Sequence, residues 1–458
     1  MRRRRESPAE PARVLEIESL DLDGRGIARD DGKVVFVAGA LPGEQVLARL
    51  VRRKARHDAA QTVEVLRSSP SRVVPHCPHF GVCGGCSIQH ADPIAQVSFK
   101  QRVLEEALWH LGRVRPDHVL PPIVGPAWGY RFRARLTVRH VVKKGGVLVG
   151  FHEKGSSYVA DMRECPVMPA HVSALLPAMR ELVGGLTIRE RLPQIEVAVG
   201  DRDGRLVTAL VFRVLEPPTD DDLARLRAFI AEHDLEGWLQ PRGPDSIEPV
   251  PGTSPRALGY GLPEFGLWLP FSPTEFTQVN AGVNRVMVAR AVSLLAPAPD
   301  DVVADLFCGL GNFTLALATR ARRVIGIDGA LPLVERAAAN ARHNGFGSAQ
   351  RPDHVVDFQV ADLFGLDEAR WQALGPVDRC LIDPPRDGAL AVARTLATTP
   401  APPKRVVYVS CNPATLARDV AILVHEGGWR LDSAGVVNMF PQTSHVESIA
   451  VLEPARSE

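Results

Sequence analysis

The sequence predicts an α/β protein in three parts: a small OB-type β-barrel, a strand-rich central segment, and a C-terminal domain built on a doubly wound parallel sheet. Three observations carry this. The chain has 458 residues, too many for one ordinary core. Short apolar runs separated by turn signals fill residues 13–66. From Thr277 onward short apolar strands alternate with helical patterns, the rhythm of a parallel sheet.

The elements follow in order. Met1-Arg2-Arg3-Arg4-Arg5 has the charge of a signal peptide's start, but Glu6-Ser7-Pro8-Ala9-Glu10-Pro11 follows in place of an apolar stretch. Residues 1–12 therefore read as a disordered, solvated basic tail, and a cytoplasmic location is expected. There is no long uncharged apolar segment to span a bilayer. The first domain is expected over 13–70, with turns at Gly24-Arg25-Gly26, Asp31-Gly32 and Leu41-Pro42-Gly43-Glu44 between short strands. The second, 71–275, opens on a Cys/His/Gly-rich loop. A helix near 95–112 follows (Val97, Val103, Leu104, Ala107, Leu108, Leu111) and is a candidate to pack on the third domain. Asp203-Gly204 marks a hairpin, and Thr219 introduces a helix over 220–233 with an acidic first turn. The third domain, 276–458, has expected strands at 302–306, 323–327, 355–360, 379–382, 405–410 and 448–452, and helices that include 331–344 and 413–426.

Apolar content of 45% and charged content of 23% are ordinary for a globular protein. A net charge of +1 means that any basic surface is local. The seven cysteines are odd in number and unevenly spread, which argues against a disulfide framework and for metal ligands or catalysts.

Asp305-Leu306-Phe307-Cys308-Gly309-Leu310-Gly311-Asn312 ends one strand and opens a helix, and Gly309 and Gly311 allow the backbone to approach a ligand closely. The next strand ends at Asp328, placed for ribose hydroxyls, and the third at Asp362, near an adenine's expected position. A dinucleotide would want a third glycine where Thr314 stands; S-adenosylmethionine has no pyrophosphate and needs less of an anion cradle. The plainer alternative is that each acid caps a helix.

Two further strand ends carry reactive groups. Leu381-Ile382-Asp383-Pro384-Pro385 closes one run, and Ser410-Cys411-Asn412-Pro413 closes the next. A free cysteine is usually a small buried hydrophobe. That reading suits Cys308 and Cys380, but not Cys411 at a strand end before Asn-Pro. Asp-Pro-Pro also occurs in amino-group methyltransferases, which need no thiol. These segments, with Asp305 to Asn312 and His445-Val446-Glu447-Ser448, resemble the RNA uracil-5-methyltransferase family in motif order. Gly24 to Ala28, Val35-Phe36-Val37 and Ala40 to Val46 resemble a TRAM domain, a small RNA-binding barrel.

The resemblance implies a C-terminal Rossmann-like S-adenosylmethionine methyltransferase domain. It implies that Cys411 adds to C6 of a uracil, that Glu447 is the base that removes the C5 proton, and that Asp383 positions the pyrimidine. Gln278, Phe307, Gly309, Gly311, Asn312, Asp328, Asp362 and Asp383 would contact the cofactor. The TRAM-like start and cysteine loop resemble the 23S ribosomal RNA subgroup, so the expected partner is that RNA and the expected state a monomer. Asp328 stands where some members have Glu, and Pro385 replaces a smaller residue. The alternatives are another ribosomal or transfer RNA uridine, or a non-catalytic iron–sulfur RNA-binding protein.

Cys77, Cys83, Cys86 and Cys165 offer four thiolates, which by spacing suit an iron–sulfur cluster or structural zinc. The resemblance implies a four-iron–four-sulfur (4Fe-4S) cluster, with zinc the lesser choice. Finally, Arg131, Arg133, Arg135 and Arg139 alternate with period two, so they are expected to share a strand face that tracks RNA phosphates, or else an ordinary solvated face.

Overall fold

The computed structural model describes residues 11–351 and 353–455. The expected basic tail, apart from residues 11–12, lies outside them.

Arg13–Glu16, Ser19–Leu20, Gly26–Asp30, Lys33–Ala38, Gln45–Arg53 and His57–Arg67 form one six-stranded sheet, consistent with the OB type, around a small core of Leu15, Val35, Val37 and Val46. The Asp31-Gly32 turn holds both residues at positive φ (48° and 79°), the left-handed pair that a tight hairpin needs. Fully buried Glu44 accepts the Leu41 amide and the Arg72 guanidinium, at 2.8 and 2.6 Å, and ties this unit to the cysteine loop.

The central sheet has the order Glu248–Pro249, Glu236–Gln240, Arg205–Arg213, Gln194–Arg202, Arg133–Val141, Gly146–Gly150. Asp203 (φ 52°) and Gly204 (φ 76°) make the expected hairpin turn. Helix Asp220–Glu232 starts at a capping box between Thr219 and Asp222. The helix Ala170–Gly185, with Pro177 inside it, was not anticipated.

The C-terminal sheet has eight strands and, contrary to the parallel sheet expected from the sequence, is mixed. Val355–Val360, Arg323–Asp328, Val302–Leu306, Arg379–Ile382 and Arg405–Ser410 run parallel; Glu447–Pro454 and Trp429–Val437 then pair antiparallel, with His118–Val119 at the edge. The reason is geometric. The connection from Val437 to Glu447 is too short to cross back over the sheet, so these two strands must run in opposite directions. Helix Pro93–His110 packs on one face of this sheet, its Val97, Leu104 and Leu108 sharing a core with Tyr408, Leu416 and Val420. The opposite face is covered by helix Ala281–Leu295 and by the hairpin Leu258–Leu262/Leu267–Phe271. The cavity described next opens where the parallel strands end, as in other open α/β sheets.

Candidate active site

Gln278, Phe307, Gly309, Asn312, Asp328, Asp362, Asp383, Cys411 and Glu447 line one cavity of about 1650 Å³ of empty space, including its mouth. Gly311 is not in the lining. Its bare Cα faces Leu315 and Ala337 at φ 93°, so it serves the turn and its packing.

Strand register brings the reactive groups together. Ser410 pairs with Ser448 in antiparallel fashion, so one step further sets Cys411 opposite Glu447. Glu447 is buried at the first residue of its strand, not solvent-facing. Asn412 caps helix Pro413–His425 by accepting the Ala414 amide at 3.1 Å, and Pro413 occupies the first turn, where no donor is needed. The same Asn412 donates to the Arg386 carbonyl at 3.0 Å and so fixes Arg386, whose guanidinium reaches His445 Nδ1 at 3.4 Å.

Three acidic groups therefore crowd one part of the cavity. Burial first, then the Glu447 charge, pushes the Asp383 carboxyl well above its ordinary range. Burial pushes Glu447 up to about 7, with Arg386 and Lys100 opposing. Cys411 is pushed up to about 11 by burial, then by Glu447 and Asp383, while Arg386 pulls it down. The site thus resists holding three negative charges at once, and protons must be shared among these groups.

The other half of the cavity combines aromatic rings and carboxylates. Phe307 sits at φ 65°, a strained left-handed conformation for a bulky residue, and its ring meets Phe364 edge-on at 5.7 Å. Asp328 accepts the Gly309 and Ala330 amides at 3.0 and 2.9 Å, and Asp362 accepts the Phe364 amide at 3.0 Å. Each acid caps a turn and also faces the cavity. The Asn312 amide is largely occupied: it accepts from the Tyr260 hydroxyl at 2.8 Å and exchanges two bonds with Asn284, each at 3.0 Å. Sequence reasoning assigned no role to Tyr260, Phe276, Phe364, Arg386, Phe440 or His445, all in the lining; Arg386 directly follows a recognised motif and His445 opens another. Cys308, expected to be inert core, also borders the cavity, whereas Cys380 is fully buried.

Cys77, Cys83, Cys86 and Cys165 line a second cavity of about 320 Å³ of empty space. Among the described residues no three His, Cys, Asp or Glu side chains are close enough to hold a single metal ion. Backbone amides point at the sulfurs: Gly85 N–H reaches Cys83 Sγ at 3.3 Å, and Met168 and Val167 amides face Cys165. Burial, with repulsion from neighbouring thiolates, pushes Cys86 up to about 11 and Cys165 up to about 12. Four thiols around one cavity, met in part by amide donors, match in kind the ligands of a cluster bound through thiolates, although they stand too far apart for a single metal ion.

The arginine row is only partly as expected. Arg133, Arg135 and Arg139 do alternate with buried Ala134, Leu136 and Val138. However, Arg131 precedes the strand and bridges Asn280, and Nη1 of Arg133 is buried, because the hairpin ring of Phe271 packs over that end of the strand. Exposed Arg135 is paired with Glu196 at 3.0 Å; Arg139 remains on the open face.

The family model described as tRNA (Uracil-5-)-methyltransferase matches residues 270–455, and the TRAM domain model matches residues 13–56. The chain is 58% identical over 442 residues to the 23S rRNA (uracil(1939)-C(5))-methyltransferase RlmD of Bordetella avium, covering 96% of this chain and 91% of the relative. It is 58% identical over 455 residues to the protein of the same name from Burkholderia ambifaria, covering 97% and 95%. The fold resembles that of the Pyrococcus abyssi tRNA (uracil-54, C5)-methyltransferase solved with S-adenosyl-L-homocysteine, with a TM-score of 0.71, 23% identity, and 96% and 99% coverage. With Cys411, Asp383 and Glu447 lining one cavity and this identity along nearly its whole length, the chain belongs to the family of the 23S rRNA (uracil(1939)-C(5))-methyltransferases.

Proposed function

We propose that this protein methylates C5 of a uridine in 23S ribosomal RNA, at the position 1939 named for its relatives, through a covalent adduct with Cys411. The observation that carries the reading is the convergence of Cys411, Asp383 and Glu447 on one buried cavity. The Cys411 thiolate adds to C6 of the ring, and the C5=C6 electron pair moves toward O4 as an enolate, leaving C5 nucleophilic. Asp383, its carboxyl pushed well above its ordinary range by burial and then by the Glu447 charge, positions the pyrimidine by hydrogen bonding and helps to stabilise that developing oxyanion. When bound, S-adenosylmethionine supplies the electrophilic methyl that C5 takes. Glu447 then removes the C5 proton; the C–H pair re-forms the C5=C6 bond and the C6–S pair returns to sulfur. For the cofactor, Phe307 and Phe364 offer apolar faces, and Asp328 and Asp362 retain free lone pairs toward hydroxyl and amino groups.

A 4Fe-4S cluster is assigned to Cys77, Cys83, Cys86 and Cys165 on the converging thiols and amide donors. When bound it supplies a rigid cross-link; no chemical step passes through it. Arg139 and the exposed Arg49, Arg52 and Lys54 of the TRAM unit supply the local positive charge for phosphates. The divisions at 13–70, 71–275 and 276–458, a monomeric state and a cytoplasmic location belong to the same proposal. No helix among the described residues is long and apolar enough to cross a membrane.

RNA carrying 5-fluorouridine tests the mechanism. The fluorine cannot leave as a proton does, so the protein should become covalently trapped after methyl transfer, and Cys411→Ala should abolish both trapping and transfer. Transfer by Cys411→Ala at the parent rate would refute it. Mapping 5-methyluridine in ribosomal and transfer RNA from cells lacking the protein identifies the nucleotide. Iron and sulfide analysis after anaerobic purification tests the cluster, which zinc alone would overturn.

A further inference from the structure

Lys100 is 2% exposed. It lies on the face of helix Pro93–His110 that carries Val97, Leu104 and Leu108, where the helical period calls for an apolar side chain. Its Nζ donates to Asn438 Oδ1 and to the Phe440 carbonyl, both at 2.8 Å. The same helix grips this segment twice more. Gln101 Oε1 accepts the Val436 amide at 3.2 Å, and Gln96 exchanges bonds with Gln442, whose amide reaches Gln96 Oε1 at 2.8 Å. Gln442 is held at φ 68°, a conformation that persists where its surroundings over-determine it. The clasped segment runs directly into Glu447.

These bonds account for the segment's position but not for a buried charge. Two neutral acceptors could be met by an amide, without the cost of desolvating an ammonium. That cost is offset by negative charge, and the carboxylate whose charge favours the ammonium is Glu447, itself 3% exposed and the residue into which the clasped segment leads. Other ionisable groups that share the cavity with Glu447 are Asp383 and Arg386 from the loop after their strand, Cys411 from the neighbouring strand end, and His445 from its own segment, which the Lys100 charge also reaches. All of them line the cavity, and Lys100 does not.

We propose that Lys100 is a positioning residue for proton removal: pinned by Asn438 and Phe440 on the segment that leads into Glu447, it supplies from outside the cavity a positive charge that favours the ionised form of the Glu447 carboxylate. This rests on the reading of Glu447 as the base. Burial pushes Lys100 down to about 7 while Glu447 opposes it, so each group's charge supports the other's. Removing the ammonium leaves the burial of Glu447 less opposed, and its midpoint must move upward. After Glu447 has taken the C5 proton, the uncompensated ammonium favours that proton's departure to solvent and so resets the base.

The test uses the full-length protein, a 23S RNA fragment bearing [5-³H]uridine, and Lys100→Met, which keeps length and removes charge. Tritium release and methyl incorporation into the adduct are followed in single turnovers across pH. Release in Lys100→Met should fall about fivefold at pH 7 and approach about tenfold below pH 6, with its midpoint raised by about one unit. Methyl incorporation should stay within about threefold of the parent, so that adduct accumulates. Lys100→Gln, whose amide can still meet the segment, should shift the midpoint likewise and covers the case in which Met does not fold. Asn438→Ala, which keeps the ammonium, should leave the midpoint in place. An unmoved midpoint in both lysine variants overturns the proposal whatever happens to the overall rate, because lost packing slows turnover without moving a titration. A midpoint that moves equally in Asn438→Ala overturns it too. A parent enzyme whose tritium release shows no titration would instead refute the assignment of Glu447.

Discussion

The pH behaviour of adduct release turns on Glu447. Its ordinary carboxyl value of 4.5 is pushed up to about 7 by burial. With a midpoint there, the ionised fraction climbs from about one-tenth at pH 6 to about nine-tenths at pH 8, so the release step should quicken about tenfold and then level off. Cys411, pushed up to about 11, behaves differently: its thiolate fraction still grows about tenfold per unit above pH 8. Addition therefore keeps accelerating where release has saturated, and the standing amount of protein–RNA adduct should rise between pH 8 and pH 9. Rapid quenching onto denaturing gels reads the adduct, and tritium loss from C5 reads release, both with cofactor in excess. Glu447→Gln should slow release by about 10²–10⁴-fold, leave a long-lived adduct and abolish the titration. Tritium release that is flat from pH 6 to 8 in the parent, or a variant that keeps the parent's profile, would refute Glu447 as the base.

Three more outcomes follow from other parts of the molecule. Cys86→Ser should lose bound iron and sulfide and lower the apparent Tm by more than ~5 °C, since a site formed only in the folded state contributes its binding energy to folding; retained iron would remove Cys86 from the ligand set. Gly200→Ala places a Cβ 2.7 Å from the Gly259 carbonyl oxygen. Backbone cannot yield cheaply, so urea unfolding should show a loss of about 1–3 kcal/mol, and an unchanged midpoint would mean that the sheet and hairpin separate freely. Arg139→Ala should weaken RNA binding several-fold and reduce the slope of log affinity against log salt by about 1; an unaltered slope would take Arg139 off the phosphate path.

Much of the fold was legible because its signals are local. Asp31-Gly32 and Asp203-Gly204 announce left-handed turns, and four of the five parallel strands are short apolar runs buried on both faces, the edge strand Val355–Val360 being the exception. What escaped notice depended on distant partners. Strand His57–Arg67 is polar along much of its length and is recruited by pairing with Lys33–Ala38 and Gln45–Arg53. Trp429–Val437 was overlooked, and with it the antiparallel end of the sheet, because no helix separates it from Glu447–Pro454. The arginine row shows the same limit. Its alternation was read correctly, but the hairpin that covers Arg133 comes from more than a hundred residues further along the chain.

The site divides in the same way. Cys411, Asp383, Asp328 and Asp362 are found from sequence because strand ends in an open α/β sheet all discharge at one edge, so position along a strand already implies proximity. Gly311 shares that motif yet misses the cavity, since glycine is equally required where a turn must pack closely. Lys100 gave a weaker signal: a lysine on an otherwise apolar helical stripe, which usually means a snorkelling side chain at a core's edge. What gives it meaning is the pair of bonds to Asn438 and Phe440 and the carboxylate beyond them, more than three hundred residues away. A charge on a core-facing position is therefore best read as a question about what the opposing element carries. Here that element brings the group that, in the proposed reaction, must be ionised before the C5 proton can leave.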